Sequence, residues 1–238
     1  MSEQAVAEPA WSSCPDCDDY RCNIHGTHAH DCPCPPADEW ADSPYLPGAP
    51  HPSVEAARRL IEWVESVSPG QALREGLQET PMRFVKALAE YTRGYHVDPA
   101  SLLKTFEDGA EHYDQMVVVR DMPVYSLCEH HLASFFGTAD VGYIPDGKVV
   151  GLSKLARVVD AYARRLQVQE RLTTQVADLL DKELQPKGVG VVLRCRHLCM
   201  EARGVSIAGA KTTTSALRGA VIEKPEARAE FLRLVGPM

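Results

Sequence analysis

The chain of 238 residues lacks any apolar run near the roughly 20 residues that a membrane-spanning helix needs, so no part of it is expected to cross a bilayer. Its first residues, MSEQAVAEPAW, lack the basic n-region and apolar h-region of a secretory signal, and a cytoplasmic location is expected. Aromatic residues are few, at 7%, yet 45% of positions are hydrophobic and 24% are charged. That composition is globular and excludes collagen-like and fully disordered classes. The sequence has no G-x-x-x-x-G-K-[ST] phosphate loop and no internal repeat.

Excess charge is also missing from most of the chain. The formal net charge is −8. Residues 1–50 hold nine of the 33 acidic residues and only one of the 25 bases, so the 24 acids and 24 bases in the remainder cancel. A neutral remainder without a basic stripe argues against nucleic-acid binding. The same fifty residues carry five of the eight cysteines and eight of the seventeen prolines. Without apolar periodicity, they read as a disordered acidic tail. The tail holds Cys14, Cys17, Cys32 and Cys34 among further Cys and His residues, and Cys14-x2-Cys17 has metal-ligand spacing. Two readings stand: a small zinc-binding element that recruits a protein partner, or an unstructured extension with reduced thiols.

Beyond the tail the sequence is patterned. Ser53 can cap a helix with the apolar stripe Val54, Ala57, Leu60, Ile61 and Val64. Thr80-Pro81 opens a second helix with Thr as N-cap, its buried face formed by Phe84, Val85, Leu88 and Tyr91 and its end at Gly94. From residue 115 the pattern predicts strands over 115–127 and 132–144, helices over 153–166 and 169–184, strands over 188–201 and 212–221, and a short helix from Pro225. The order ββααββ predicts an α+β fold with an antiparallel sheet and helices on one face. Three regions are expected: the tail 1–50, a helical region 51–112 and a catalytic domain 113–238.

Candidate chemistry clusters at strand ends. Cys128-Glu129-His130-His131 comes directly after the first strand, and its Cys-x2-His spacing lets a thiolate and an imidazole reach one metal from a tight turn. Farther on, Cys195-Arg196-His197-Leu198-Cys199 lies within a strand pattern whose alternation predicts Cys195, His197 and Cys199 on one face. Ligation by Cys128, His131 and Cys199 leaves a fourth position open, as in catalytic zinc, with His130 and His197 beside it as proton donors or acceptors. Ligation by Cys195 as well would close the site and make it structural. Gly151-Leu152-Ser153-Lys154 opens a helix whose free N–H groups attract anions, with Lys154 and Arg157 three apart on its polar side. At the start of the next helix, the Glu170 carboxylate can accept two hydrogen bonds from the N1–H and 2-amino groups of a guanine, which an adenine cannot offer.

Several separated segments, in order, resemble the GTP cyclohydrolase I family: Glu79-Thr80-Pro81-Met82-Arg83, Ser126 to His131, Gly142-Tyr143-Ile144-Pro145, Val150 to Lys154, Gln167 to Thr173, His197-Leu198-Cys199 with Ala202-Arg203-Gly204, and Thr213-Thr214-Ser215. The resemblance covers about residues 53–235 and leaves the tail outside. It implies a tunnelling fold, a toroidal homodecamer with active sites between subunits, and Zn2+ on Cys128, His131 and Cys199 with Cys195 excluded. It implies His130, His197 and Ser153 as catalytic groups, Glu170 and Gln169 holding guanine and ribose, and Lys154, Arg157, Arg203 and Arg83 on the triphosphate. The implied reaction converts GTP and water to 7,8-dihydroneopterin triphosphate and formate, an entry to folate, biopterin or deazaguanine synthesis. A non-catalytic nucleotide-binding ring of the same fold is the alternative, and it would be marked by loss of a ligand or histidine. A nucleoside deaminase is excluded, since H-x-E with P-C-x-x-C is missing from the folded part. Two departures from the family stand out: Leu166, where many members have Pro, is expected to alter the inter-helix turn, and Glu201, where some have Lys, to weaken triphosphate binding.

Overall fold

A computed structural model describes residues 52–69, 71–107 and 112–236. The tail and its cysteines lie outside the described residues. The chain divides into two compact units, Met1–Ala89 and Glu90–Met238.

In the first unit, α1 (Pro52–Val64) and the first ten residues of α2 (Thr80–Tyr91) are the main elements. Ala57 is buried in α1, and Glu62 is buried where Arg58 reaches it at 3.0 Å. The predicted apolar stripe of α1 turns inward only in part, because Leu60 and Val64 are 57% and 68% exposed. On α2, Phe84 is likewise exposed. The space between is an open apolar groove of about 250 Å³, lined by Ala57, Leu60, Ile61, Val64, Leu77 and Phe84 among others. Thr80 is the first residue of α2 rather than its cap, and its hydroxyl turns back to the Gly76 carbonyl at 3.4 Å.

The second unit is built on a sheet. Its long strands are β1 (Val117–Cys128), β2 (Ser134–Ile144), β3 (Gly188–His197) and β4 (Lys211–Gly219), antiparallel and in that spatial order. A two-residue strand, Leu166–Gln167, pairs in parallel outside β1. Between β2 and β3 the chain forms α3 (Leu152–Ala163) and α4 (Gln169–Leu184), so the predicted ββααββ order is observed. Alternate strand residues such as Val141, Val191 and Leu193 meet Leu155, Val158 and Val159 of α3 and Leu172, Val176 and Leu180 of α4, all fully buried. Each such side chain contributes about 1.5–3 kcal/mol on burial. This core fixes one face of the sheet and therefore the register of every strand.

One expectation is corrected: helices cover both faces. The C-terminal helix α5 (Pro225–Leu234) packs Phe231 and Val235 with Val192 and Val221, a cluster separate from that under α3 and α4. Gly142 and Gly190 are opposite each other in the β2–β3 register. A Cβ on them would come within 2.9 Å and 2.6 Å of the Phe231 ring, so the two glycines form the slot that this ring occupies. β1 bulges between Val119 and Met122, where Asp121 has φ 54°. There the fully buried Asp140 accepts the Asp121 N–H at 2.8 Å and pairs with Arg194.

Candidate metal centre

The sheet brings two distant segments together at one end. β1 ends at Cys128, and β2 returns from Ser134, so residues 129–133 form a tight connection. The Cys128 N–H donates to the Ala133 carbonyl at 2.8 Å, while the Cys128 carbonyl accepts from His131 N–H at 3.3 Å and Leu132 N–H at 2.8 Å. Leu132 takes the left-handed conformation, φ 52°. This winding carries the His131 ring back over Cys128, leaving Nδ1 3.9 Å from Sγ. His130 Nδ1 is 3.8 Å from the same sulfur, although its ring is largely exposed.

β3 does not continue through Cys199 as alternation predicts. It stops at His197, and Leu198–Glu201 forms one helical turn. That turn places Cys199 beside Cys128, and donor atoms of Cys128, His131 and Cys199 lie within 4.8 Å of one another. Among the described residues this is the only such group that could hold a metal ion. Cys195 is not in it. It is 1% exposed within the core, and burial pushes its thiol up to about 12, so it remains a neutral thiol.

The donor chemistry fits a soft divalent cation. Burial, and then the neighbouring Cys128, push the Cys199 thiol up. Two sulfurs that resist sharing negative charge become compatible thiolates when a cation lies between them. Two thiolates and one imidazole match the three protein ligands of an open zinc site.

Neighbouring residues brace the turn. The Glu129 N–H donates to the Gln167 carbonyl at 3.0 Å, and the Glu129 carboxylate pairs with Arg171. The hydrogen bond from Arg171 is the main reason that carboxyl is held below its usual range. Arg171 also binds Gln167 Oε1 at 3.0 Å and the Leu166 carbonyl at 3.1 Å. Leu166 donates its N–H to the Tyr95 hydroxyl at 3.2 Å, a bond that proline could not make. The roles of Gln167 and Arg171 were not legible in the sequence, where both look like ordinary polar residues near a helix start.

His197 ends β3 directly opposite Phe135, and the two rings stack at 4.7 Å with an 8° interplanar angle. Burial lowers its proton affinity, while Glu170 and Glu201 act in the opposite direction. Glu170 is exposed at the start of α4, whereas Gln169 beside it is 1% exposed. Ser153 is exposed and Lys154 and Arg157 are half-buried, all within the first two turns of α3. Arg203 is exposed just beyond the helical turn, near enough to act electrostatically on Cys199. Arg83 belongs to the first unit, where it pairs with Glu79. Glu201, expected to repel anions, binds Arg196 through both oxygens, at 2.9 and 2.5 Å. Its charge is thereby countered within the chain.

An α+β sheet with three donors at one end that could hold a metal ion, and the His130 ring beside one of them, is a frame on which a hydrolytic enzyme can be built. The family model for GTP cyclohydrolase I matches residues 54–236, and the chain belongs to that family. A GTP cyclohydrolase 1 of Nitrosospira multiformis is 61% identical over 161 residues, covering 68% of this chain and 84% of the relative. One from Janthinobacterium sp. is 57% identical over 182 residues, covering 76% and 90%, and one from Mycobacterium avium is 55% identical over 183 residues, covering 76% and 87%. Among the described residues, no helix is long and apolar enough to cross a membrane.

Proposed function

We propose that this protein converts GTP and water to 7,8-dihydroneopterin triphosphate and formate, with Zn2+ on Cys128, His131 and Cys199. The observation that carries the reading is the convergence of those three donors within 4.8 Å in a chain of this family. Bound zinc supplies the Lewis acidity that makes water nucleophilic near neutral pH.

The remaining work falls to side chains. His197, held on Phe135, gives a proton to N7 of the guanine as the imidazole ring opens. His130, with its exposed ring, and Ser153 handle protons during the ribose rearrangement before ring closure. Glu170 selects guanine over adenine, because its carboxylate accepts from both N1–H and the 2-amino group. Lys154, Arg157 and Arg203, with Arg83, hold the triphosphate, aided by the N–H groups at the start of α3, whose cap Gly151 offers no side chain. The tunnelling fold and a homodecamer with shared active sites complete the reading.

Incubation of the zinc-loaded full chain with GTP, followed by oxidation, is expected to yield a fluorescent pterin together with formate. Absence of both products would leave the alternative, a nucleotide-binding ring without catalysis.

A further inference from the structure

Gln169 opens α4 with its side chain buried beneath β3 and β4, and its amide is fully engaged. Nε2, with two hydrogens, faces three acceptors, the Leu193 carbonyl at 3.1 Å, the Thr212 carbonyl at 3.0 Å and Thr214 Oγ1 at 3.0 Å. Oε1 lies 2.8 Å from His197 Nε2.

The hydroxyls around it settle which end of the amide is which. Thr173 Oγ1 donates its only proton to the main-chain carbonyl of Gln169 at 2.7 Å. The Thr173–Thr214 hydroxyl contact at 2.6 Å must then use the proton of Thr214. Thr214 Oγ1 is left as an acceptor for Gln169 Nε2. A flipped amide would set an oxygen against two carbonyls and a hydroxyl that has no proton to give it, so Oε1 is the atom that faces His197. An amide oxygen carries no hydrogen. A contact of 2.8 Å therefore requires a proton on His197 Nε2.

We infer that Gln169 is a positioning residue that accepts the Nε2–H of His197 and so fixes that ring in one orientation against Phe135. This rests on the reading of His197 as the group that protonates guanine N7, and it departs from the expectation that Gln169 itself touches substrate.

The test uses full-length, zinc-loaded protein carrying ¹⁵N-labelled histidine, with His197 identified among nine histidines by comparison with His197→Gln. Solid-state ¹⁵N spectra without GTP are expected to show His197 protonated at Nε2. In Gln169→Met, the same site is expected to show a mixture of tautomers. A wild-type ring with bare Nε2 and protonated Nδ1 overturns the inference, whether or not the variant assembles. Kinetics give a second readout: Gln169→Met should lower kcat by about 100-fold with KM for GTP unchanged. A raised KM with kcat retained would mean that Gln169 binds substrate, and it also overturns the inference. A wild-type protein that makes no pterin instead overturns the proposed activity, while the tautomer measurement stands.

Discussion

The two units treat the same kind of sequence signal in opposite ways. In residues 90–236, the apolar stripes of α3 and α4 are covered by the strands on either side of them in sequence, and Leu155, Val158, Leu172 and Val176 are fully buried. In residues 52–89, the stripe on α1 is as regular, yet Leu60 and Val64 stay largely exposed and neighbouring Trp63 is 78% exposed. Amphipathic spacing states that a face needs a cover, but it does not state which chain provides it. The sheet's face is closed within one chain. The helical pair has a face suited to the proposed homo-oligomer.

Substitutions can break that contrast, and the largest effect belongs to the sheet. Cys128→Ser should lose zinc and bring pterin formation to background, whereas Cys195→Ala should keep the full metal count; metal analysis beside a formate assay checks both. Retained zinc in Cys128→Ser would move the centre elsewhere. Next, His197→Ala should keep zinc and assembly but lower product formation by about 10²–10⁴-fold. Arg194→Met strands the buried Asp140 carboxylate, and denaturant unfolding should show a loss of about 3–5 kcal/mol. The smallest effect on folding is expected in the helical pair. Trp63→Ala should change chain unfolding by no more than about 0.5 kcal/mol, yet shift oligomer dissociation to higher protein concentration by light scattering. No shift in dissociation would show that this stripe is not an interface.

The physical character of each feature decides whether the sequence revealed it. The bounds of α4, Gln169–Leu184, are those expected, because its buried residues recur at helical spacing between clear breaks. The grouping of Cys128, His131 and Cys199 was among the sets that residue type and the x2 spacing allowed, and it was the family resemblance that left Cys195 out. The route to Cys199 was not legible, since strand alternation runs on through 198–201 and only the structure reveals the helical turn there. The position of α5 was hidden for a related reason. The slot that takes its Phe231 ring is made by two glycines, which carry no apolar signal. Gln169 shows the limit most clearly, for a buried amide with every bond made has the same letter as a surface glutamine.

The slot for Phe231 ties three positions far apart in sequence into one unit of variation. Gly190 cannot gain even a methyl while the ring lies 2.6 Å from where that methyl would stand. A smaller side chain at 231 would remove the obstacle, and the lost ring volume would be partly refilled from the strand. Gly190→Ala and Phe231→Leu should therefore each be harmful alone and milder together, a positive coupling of the kind that shared cavities produce. Over evolutionary time such positions drift as a pair or not at all, so residues 142, 190 and 231 should covary among relatives that keep this helix against the sheet.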